Sequence, residues 1–276
     1  MKLEPRYDGP SVLTIDDAPG SPLGPSVSQR RRFEAMLASL TAEQWASATR
    51  CEGWTPREVV AHLVSVNQFW VVSINGGRSG APTKWLAGFD PVATPQQLVG
   101  GMGGLTADDV LEQFVASNAT YLDLIGSLTD DEWGLTAESP AGHVPVQLLV
   151  QHGLWDAWIH ERDIALPLGI APVVDEDEVT SALVFAAAIS PVLGLGLGSA
   201  EPCELAVEAT DPDVAFVLSV ADSVSIRRGA ADSTVPTLRG EAVRLVEQLS
   251  LREPLGSETP SEWRRHLTSL ERAFDV

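Results

Sequence analysis

Residues 146–166 read VQLLVQHGLWDAWIHERDIAL, a helical pattern in which apolar side chains alternate with groups that can carry chemistry. His152, Asp156 and His160 are spaced by four, so all three project from one face of the predicted helix. Residues eight positions apart lie about 12 Å apart along a helix axis, too far for His152 and His160 to share one metal ion. Two chelating pairs therefore remain open: Asp156 with His160, or His152 with Asp156.

Three more helical patterns precede this segment, and together the four predict a helical bundle. One begins at Gln29, and another spans roughly residues 107–128. Between them, Thr55-Pro56-Arg57-Glu58 is typical of a helix start. The helix that follows ends near Asn75 and carries His62 on an apolar face, which makes His62 the candidate third metal ligand.

The segments outside these helices are rich in proline and glycine. Residues 1–26 are expected to form an arm that lies on the domain or a disordered tail. Residues 78–105 are expected to form a long connection, which in a compact domain usually acts as a functional loop or lid. The expected domains are the arm (1–26), a metal-binding bundle (27–170) and a C-terminal domain (171–276).

The C-terminal part alternates between helical and strand patterns. A helix is predicted over about 176–190, strands at 204–207, 214–220 and 224–227, a helix that Arg239-Gly240 opens, and a last helix near 261–274. Strands followed by helices predict a small α+β domain. Gly194-Leu-Gly196-Leu-Gly198 superficially resembles a phosphate loop, but no strand precedes it, so a flexible connection is expected.

Composition restricts the function. The 276 residues contain 18 Lys and Arg against 38 Asp and Glu, a net charge of −20 that disfavours nucleic acid and anionic membranes as partners. The first residues lack the apolar core of a signal peptide, and the longest apolar run is interrupted by Pro191 and Gly194, so a cytoplasmic protein is expected. Small molecules, thiols, metals and proteins remain as candidate partners.

The two cysteines, Cys51 and Cys203, exclude a disulfide framework or a Cys-rich zinc site. Cys51 comes just before a predicted helix and could be a nucleophile, but no histidine or other base is evident beside it. Both cysteines are therefore expected to lack the setting of an activated thiol. Two imidazoles and a carboxylate, by contrast, leave open positions on a metal, which is typical of a catalytic site. The alternative is that these residues only form hydrogen bonds within the core.

The sequence resembles the mycothiol-dependent maleylpyruvate isomerase family, part of the DinB-like superfamily of metal-binding helical bundles. The residues that carry the resemblance are Cys51-Glu-Gly-Trp54 running into Arg57-Glu-Val-Val-Ala-His62, Asp156-Ala-Trp-Ile-His160 with Asp163 and Leu168-Gly169, and Arg239-Gly240 leading to Leu251-Arg252. The resemblance covers nearly the whole chain after the arm. It implies an α+β fold in which a four-helix bundle precedes a smaller α/β domain resembling sterol carrier protein 2.

The resemblance also implies a site and an activity. The family binds a divalent metal, usually zinc, through His, Glu and His; His62 and His160 match the histidines, and Asp156 stands where Glu is usual. His152 is then an alternative ligand or a residue that supports a ligand. We expect a mycothiol-dependent enzyme that isomerises or S-conjugates a small, electrophilic and acidic substrate. Arg252 is the candidate cation for that substrate, with Arg227 and Arg228 as rivals.

Two other functions fit the same residues. A metal-dependent hydrolase of small amides or esters would use water in place of the thiol. A non-enzymatic protein would keep a structural metal and bind an apolar ligand in its C-terminal domain.

Overall fold

Four long helices make up most of the first half of the chain in this computed structural model, which describes residues 2–16 and 21–274. In chain order, the helices of this half are α1 (Leu23–Ala38), α2 (Ala42–Trp45), α3 (Pro56–Arg78), α4 (Ala93–Gly101), α5 (Ala107–Gly126) and α6 (Val146–Ala165). The long helices α1, α3, α5 and α6 pack on one another as a bundle, as predicted. At the start of α3, the Glu58 carboxylate accepts a hydrogen bond from the backbone N–H of Thr55 at 2.9 Å.

The apolar faces of these helices meet in the core of the bundle. Phe33 of α1, Leu63 of α3 and Phe114 of α5 are completely buried. The rings of Phe33 and Phe114 lie 5.7 Å apart in an edge-to-face arrangement. Burying one such side chain stabilises the fold by ~1.5–3 kcal/mol, so this packing holds the helix that carries His62 firmly against its neighbours.

The second half is built around a five-stranded sheet. Its elements are α7 (Glu176–Gly196), β4 (Cys203–Thr210), β5 (Val214–Val220), β6 (Val224–Arg228), β7 (Thr237–Glu241), α8 (Ala242–Leu249) and α9 (Ser261–Phe274). The first strand of the chain, β1 (Leu13–Ile15), completes the sheet, in the order β1-β6-β5-β4-β7. A separate antiparallel hairpin of β2 (Thr136–Ser139) and β3 (Gly142–Pro145) leads directly into α6. The predicted α+β fold is confirmed.

Helix α7 is apolar on all sides because it lies between α6 of the bundle and the sheet with α8 and α9. Within the described part of the chain it is the one helix long and apolar enough to cross a membrane, judged by length and composition. The protein itself buries 83% of its most apolar window, as is usual for a core helix of a soluble protein.

Several predicted boundaries are wrong. Helix α7 continues through Pro191 to Gly196, because Val192 and Leu193 after the proline are buried in the core and their packing outweighs the missing N–H. Gly194 and Gly196 therefore belong to the end of this helix and not to a loop. Arg239-Gly240 lies in β7, paired in parallel with β4, and the helix begins only at Ala242.

The two proline- and glycine-rich segments are also more ordered than predicted. The connection 78–105 contains α4, and the arm contributes β1, which pairs in parallel with β6. Helix α1 begins at Leu23, six residues before the predicted start at Gln29. Residues 1 and 17–20 of the predicted arm lie outside the described residues, and the domain limits near 26 and 170 stay a prediction.

Candidate metal centre

Helices α3 and α6 bring together the three residues predicted as metal ligands. His62 Nε2 lies 3.8 Å from Asp156 Oδ2, and His160 Nε2 lies 3.6 Å from Asp156 Oδ1. The two imidazole rings are 5.2 Å apart at their centroids. One donor atom from each residue falls within 4.8 Å of the other two, a spacing that a single cation can span.

The Asp156 carboxylate has a free oxygen that fits a cation. Oδ2 is buried and has no hydrogen-bond partner among the described residues, although a buried carboxylate oxygen without a partner is costly. Burial alone would raise the pKa of Asp156, but the imidazoles of His62 and His160 outweigh burial and hold that pKa well below its usual range. A charged carboxylate with an unpartnered oxygen, flanked by one imidazole nitrogen at each of its two oxygens, is a donor set that suits a divalent metal.

His160 is oriented by a second carboxylate on the same helix. Its Nδ1 lies 3.0 Å from Asp163 Oδ2, so Nδ1–H donates to Asp163 and Nε2 is the ring nitrogen that faces Asp156. A carboxylate behind a ligating imidazole is the usual way in which proteins fix the tautomer of the ligand. Without metal, burial lowers the pKa of His160, but Cys51 and Asp163 outweigh it and raise the pKa to about 10.

Asp163 in turn joins the bundle to the segment after α8. Its side chain is completely buried and accepts hydrogen bonds from Arg50 Nε at 3.0 Å and from Arg252 Nε and Nη2 at 2.8 Å each. Burial would raise the pKa of Asp163, but His160 and Arg252 hold it far below its usual range. Arg50 also donates to Glu247 of α8 at 2.7 Å, and this second carboxylate strengthens the junction.

The structure places the predicted arginines in different settings. Arg252 lies beside the candidate metal ligands, but two of its donor nitrogens are committed to Asp163 and a third donates to the Ser250 carbonyl at 3.2 Å. Arg227 and Arg228 are exposed on β6. Of the three predicted arginines, Arg252 is therefore the one that the fold brings, together with Arg50, to the His160 side of the site.

His152 lies one turn before Asp156 and is packed among aromatic rings. Its imidazole stacks on Phe185 with centroids 4.6 Å apart and contacts Trp70 and Trp155. Burial lowers the pKa of His152 to about 4, so the ring is neutral at physiological pH. It is not a member of the donor group formed by His62, Asp156 and His160.

The expectation that no histidine lies beside Cys51 is wrong. Cys51 Sγ is 3.6 Å from His160 Nδ1, 3.2 Å from Asp163 Oδ2 and 3.8 Å from Arg252 Nη2. These partners lie 109 to 201 positions further along the chain, so no local pattern around Cys51 could have revealed them.

Cys51, His160 and Asp163 also have the spacing of a metal site. The guanidinium groups of Arg50 and Arg252 already neutralise Asp163 and would repel a second cation, so this group is better suited to orienting His160.

Cys203 also has a histidine neighbour that sequence reasoning missed. Its Sγ lies 3.2 Å from His266 Nε2 of α9. Burial raises the pKa of the Cys203 thiol and lowers that of His266, so the pair is a neutral thiol and a neutral imidazole. Cys203 therefore still lacks the setting of an activated thiol, as expected.

Comparisons with known proteins agree with this architecture. Residues 27–165 match the model of the mycothiol maleylpyruvate isomerase N-terminal domain family. A crystal structure of the mycothiol-dependent maleylpyruvate isomerase is similar over 86% of this chain and 90% of that chain, with a TM-score of 0.59 and 16% identity. A histidine-to-alanine mutant of that enzyme is similar over 84% and 88%, with a TM-score of 0.58 and 15% identity. No curated protein matches by sequence.

Proposed function

The chain belongs to the mycothiol maleylpyruvate isomerase family, and we propose that it is a cytoplasmic, metal-dependent enzyme that uses mycothiol to isomerise or S-conjugate a small electrophilic acid. The single observation that carries the metal dependence is the buried Asp156 carboxylate, whose two oxygens face the Nε2 atoms of His62 and His160 and whose Oδ2 has no hydrogen-bond partner in the described chain.

We propose His62, Asp156 and His160 as the ligands of this metal. Two imidazoles and one carboxylate suit zinc, and three protein donors leave a coordination position for an exogenous group. When bound, zinc would act as a Lewis acid that favours the thiolate form of mycothiol at neutral pH. His152 then supports the aromatic wall beside Asp156 and does not coordinate.

The residues around the ligands determine what can react. Arg50 and Arg252 place two positive charges behind Asp163, which favours approach of an anionic thiol or acid despite the net charge of −20. Because Arg252 already donates to Asp163, its role in this proposal is to supply positive charge and to hold the segment after α8 against α6. The bundle of residues 27–170 supplies the ligands, and residues 171–276 supply Arg252.

In the proposed reaction the sulfur of the thiol adds to an electrophilic carbon of the substrate. In an isomerisation, addition across a carbon–carbon double bond allows rotation about the resulting single bond. Departure of the same thiol restores the double bond in the other geometry. In an S-conjugation the new carbon–sulfur bond remains in the product.

Metal analysis of the purified protein and its variants tests the ligands. We expect about one zinc per chain in the wild type, and loss of metal in His62→Ala and His160→Ala. Asp156→Glu should retain the metal, Asp156→Ala should weaken it, and His152→Ala should keep it. Unchanged metal content in both histidine variants would refute the site, and loss in His152→Ala alone would move it one helical turn.

Cobalt substitution tests the thiol. Titration of the cobalt-loaded protein with mycothiol should produce a sulfur-to-cobalt charge-transfer band, and maleylpyruvate should isomerise only when the thiol is present. Absence of the band while the metal is bound would argue against the thiol. Hydrolysis of an ester or amide without thiol would then assign the site to a hydrolase.

A further inference from the structure

His143 of β3 does not belong to the candidate metal centre, and each of its two ring nitrogens faces a backbone carbonyl oxygen. Nδ1 lies 3.0 Å from the backbone carbonyl oxygen of Tyr7, and Nε2 lies 2.9 Å from that of Thr83. Carbonyl oxygens only accept hydrogen bonds, so both ring nitrogens must carry a proton for both bonds to exist. A neutral imidazole has one such proton and can make only one of them.

The orientation of the ring is well defined by these distances. Turning the ring over would place carbon atoms at about 3 Å from the two oxygens, whereas C–H···O contacts have separations of about 3.3–3.6 Å. The nitrogens therefore face the two carbonyl oxygens, and both hydrogen bonds form only when both nitrogens carry a proton.

The residue opposite His143 holds the same two segments of the chain. Glu138 of β2 is the cross-strand partner of His143 and is completely buried. Its carboxylate accepts from the Tyr7 hydroxyl at 2.7 Å and from the backbone N–H groups of Trp85 and Leu86 at 2.9 and 2.7 Å. The hairpin thus fastens the N-terminal arm through Tyr7 and the connection through residues 83–86.

The charged groups around His143 come from every element that packs on it. Glu138 on β2 is the carboxylate across the hairpin. From the arm, Tyr7 contacts the imidazole with ring centroids 5.0 Å apart. Its phenol remains protonated because burial and the bond to Glu138 raise its pKa. From the connection, Lys84 lies 5.5 Å above the Tyr7 ring and pairs with Asp8.

We propose that His143 is a pH-sensitive latch: as the doubly protonated imidazole it fastens both the arm and the segment 83–86 to the hairpin, and its deprotonation releases one of these two bonds. Loss of the proton removes one of the two hydrogen bonds and leaves a carbonyl oxygen facing a nitrogen lone pair. Tyr7, Trp85 and Leu86 remain bound to Glu138, so the segment that has lost its bond opens more often without unfolding.

Hydrogen exchange of the full chain tests the latch. Opening equilibria for residues 2–8 and 83–89 are measured from about pH 5.5 to about pH 8.5, where histidines commonly titrate, and are corrected for intrinsic rates. In the wild type we expect protection of at least one of the two segments to fall about tenfold as the pH rises, with buried amides of α6 unchanged. A pH-independent wild type would overturn the proposal.

Two variants separate His143 from its neighbours. His143→Gln should hold both segments at the weaker, high-pH level at every pH, whereas Tyr7→Phe should lower protection but keep the pH dependence. If protection still depends on pH in His143→Gln, or no longer depends on pH in Tyr7→Phe, another group is responsible for the titration.

If His143→Gln does not fold, ¹⁵N spectra of the wild-type imidazoles decide. The latch is supported if both ring nitrogens of His143 are protonated at low pH and one proton is lost over the pH range in which protection falls. A neutral ring at every pH rejects it.

Discussion

Replacing Asp163 by asparagine should weaken metal binding even though none of the three proposed ligands is replaced. The substitution keeps the shape of the side chain but removes the charge on which Arg50, Arg252 and His160 converge. One carboxamide oxygen cannot accept all of these donors, and the new NH₂ group points at a donor. Losing the carboxylate behind a ligating imidazole typically lowers metal affinity 10–100-fold. Breaking a buried ion pair also destabilises a protein by about 3–5 kcal/mol.

Glu247→Gln provides the matched control for Asp163→Asn. Glu247 is buried in the same network and accepts from Arg50 and Arg162, but it does not contact His160. Chelator competition should therefore show weaker metal binding in Asp163→Asn only, whereas urea unfolding should show lower stability in both variants. Equal metal affinity in Asp163→Asn and wild type, with the fold intact, would refute the orienting role of Asp163.

The pH dependence of stability follows from the same carboxylate. The pKa of Asp163 is lower in the folded state than the value of about 3.9 usual for an unfolded chain. Its contribution is therefore fully present above about pH 4 and is lost as the pH falls below that value. The difference in unfolding free energy between wild type and Asp163→Asn should shrink over this acidic range. A constant difference would contradict the low native pKa.

Four other predictions concern the site and the packing around it. Gly153→Ala should lower the unfolding free energy by about 1–3 kcal/mol, because the added Cβ would lie 3.1 Å from Trp70 Nε1 and from Tyr121 Oη. The control Gly100→Ala should not lower the unfolding free energy, because its Cβ would enter open space. Since the pKa of metal-free His160 is raised to about 10, binding must displace its proton, so metal affinity should rise with pH up to that value in chelator competition. The same raised pKa stabilises the metal-free fold below about pH 6.5, and this contribution is lost as the pH rises towards 10. Arg32→Met should destabilise the protein by about 3–5 kcal/mol in thermal unfolding, because it removes the cation that pairs with buried Glu161 and Glu178. The control Arg265→Met removes an exposed ion pair and should cost about 0–1 kcal/mol.

The sequence predicts the long elements of this fold because their signals are local. The helix start at Thr55-Pro56 and the apolar spacing of Phe33 and Leu37 depend only on neighbouring residues. The strand β7 was missed because Arg239-Gly240 has little strand propensity, and its position depends on parallel pairing with β4, about thirty residues earlier. Pro191 indicated a helix end that tertiary burial overrides. These errors share one cause: pairing and packing between distant segments outweigh local preference.

The candidate site shows the same difference between local signals and contacts of distant segments. Asp156 and His160 are four residues apart on one helix, so their proximity follows from helical geometry, and an apolar helix face was enough to suggest His62. Cys51, Asp163 and Arg252 meet only because the connection before α3, helix α6 and the segment after α8 are folded against one another. A four-residue spacing can therefore indicate candidate metal ligands, but it cannot identify the residues that set their charge and orientation. In this protein those residues place two guanidinium groups and a thiol behind His160, and their meeting depends on contacts between segments that are more than 100 residues apart.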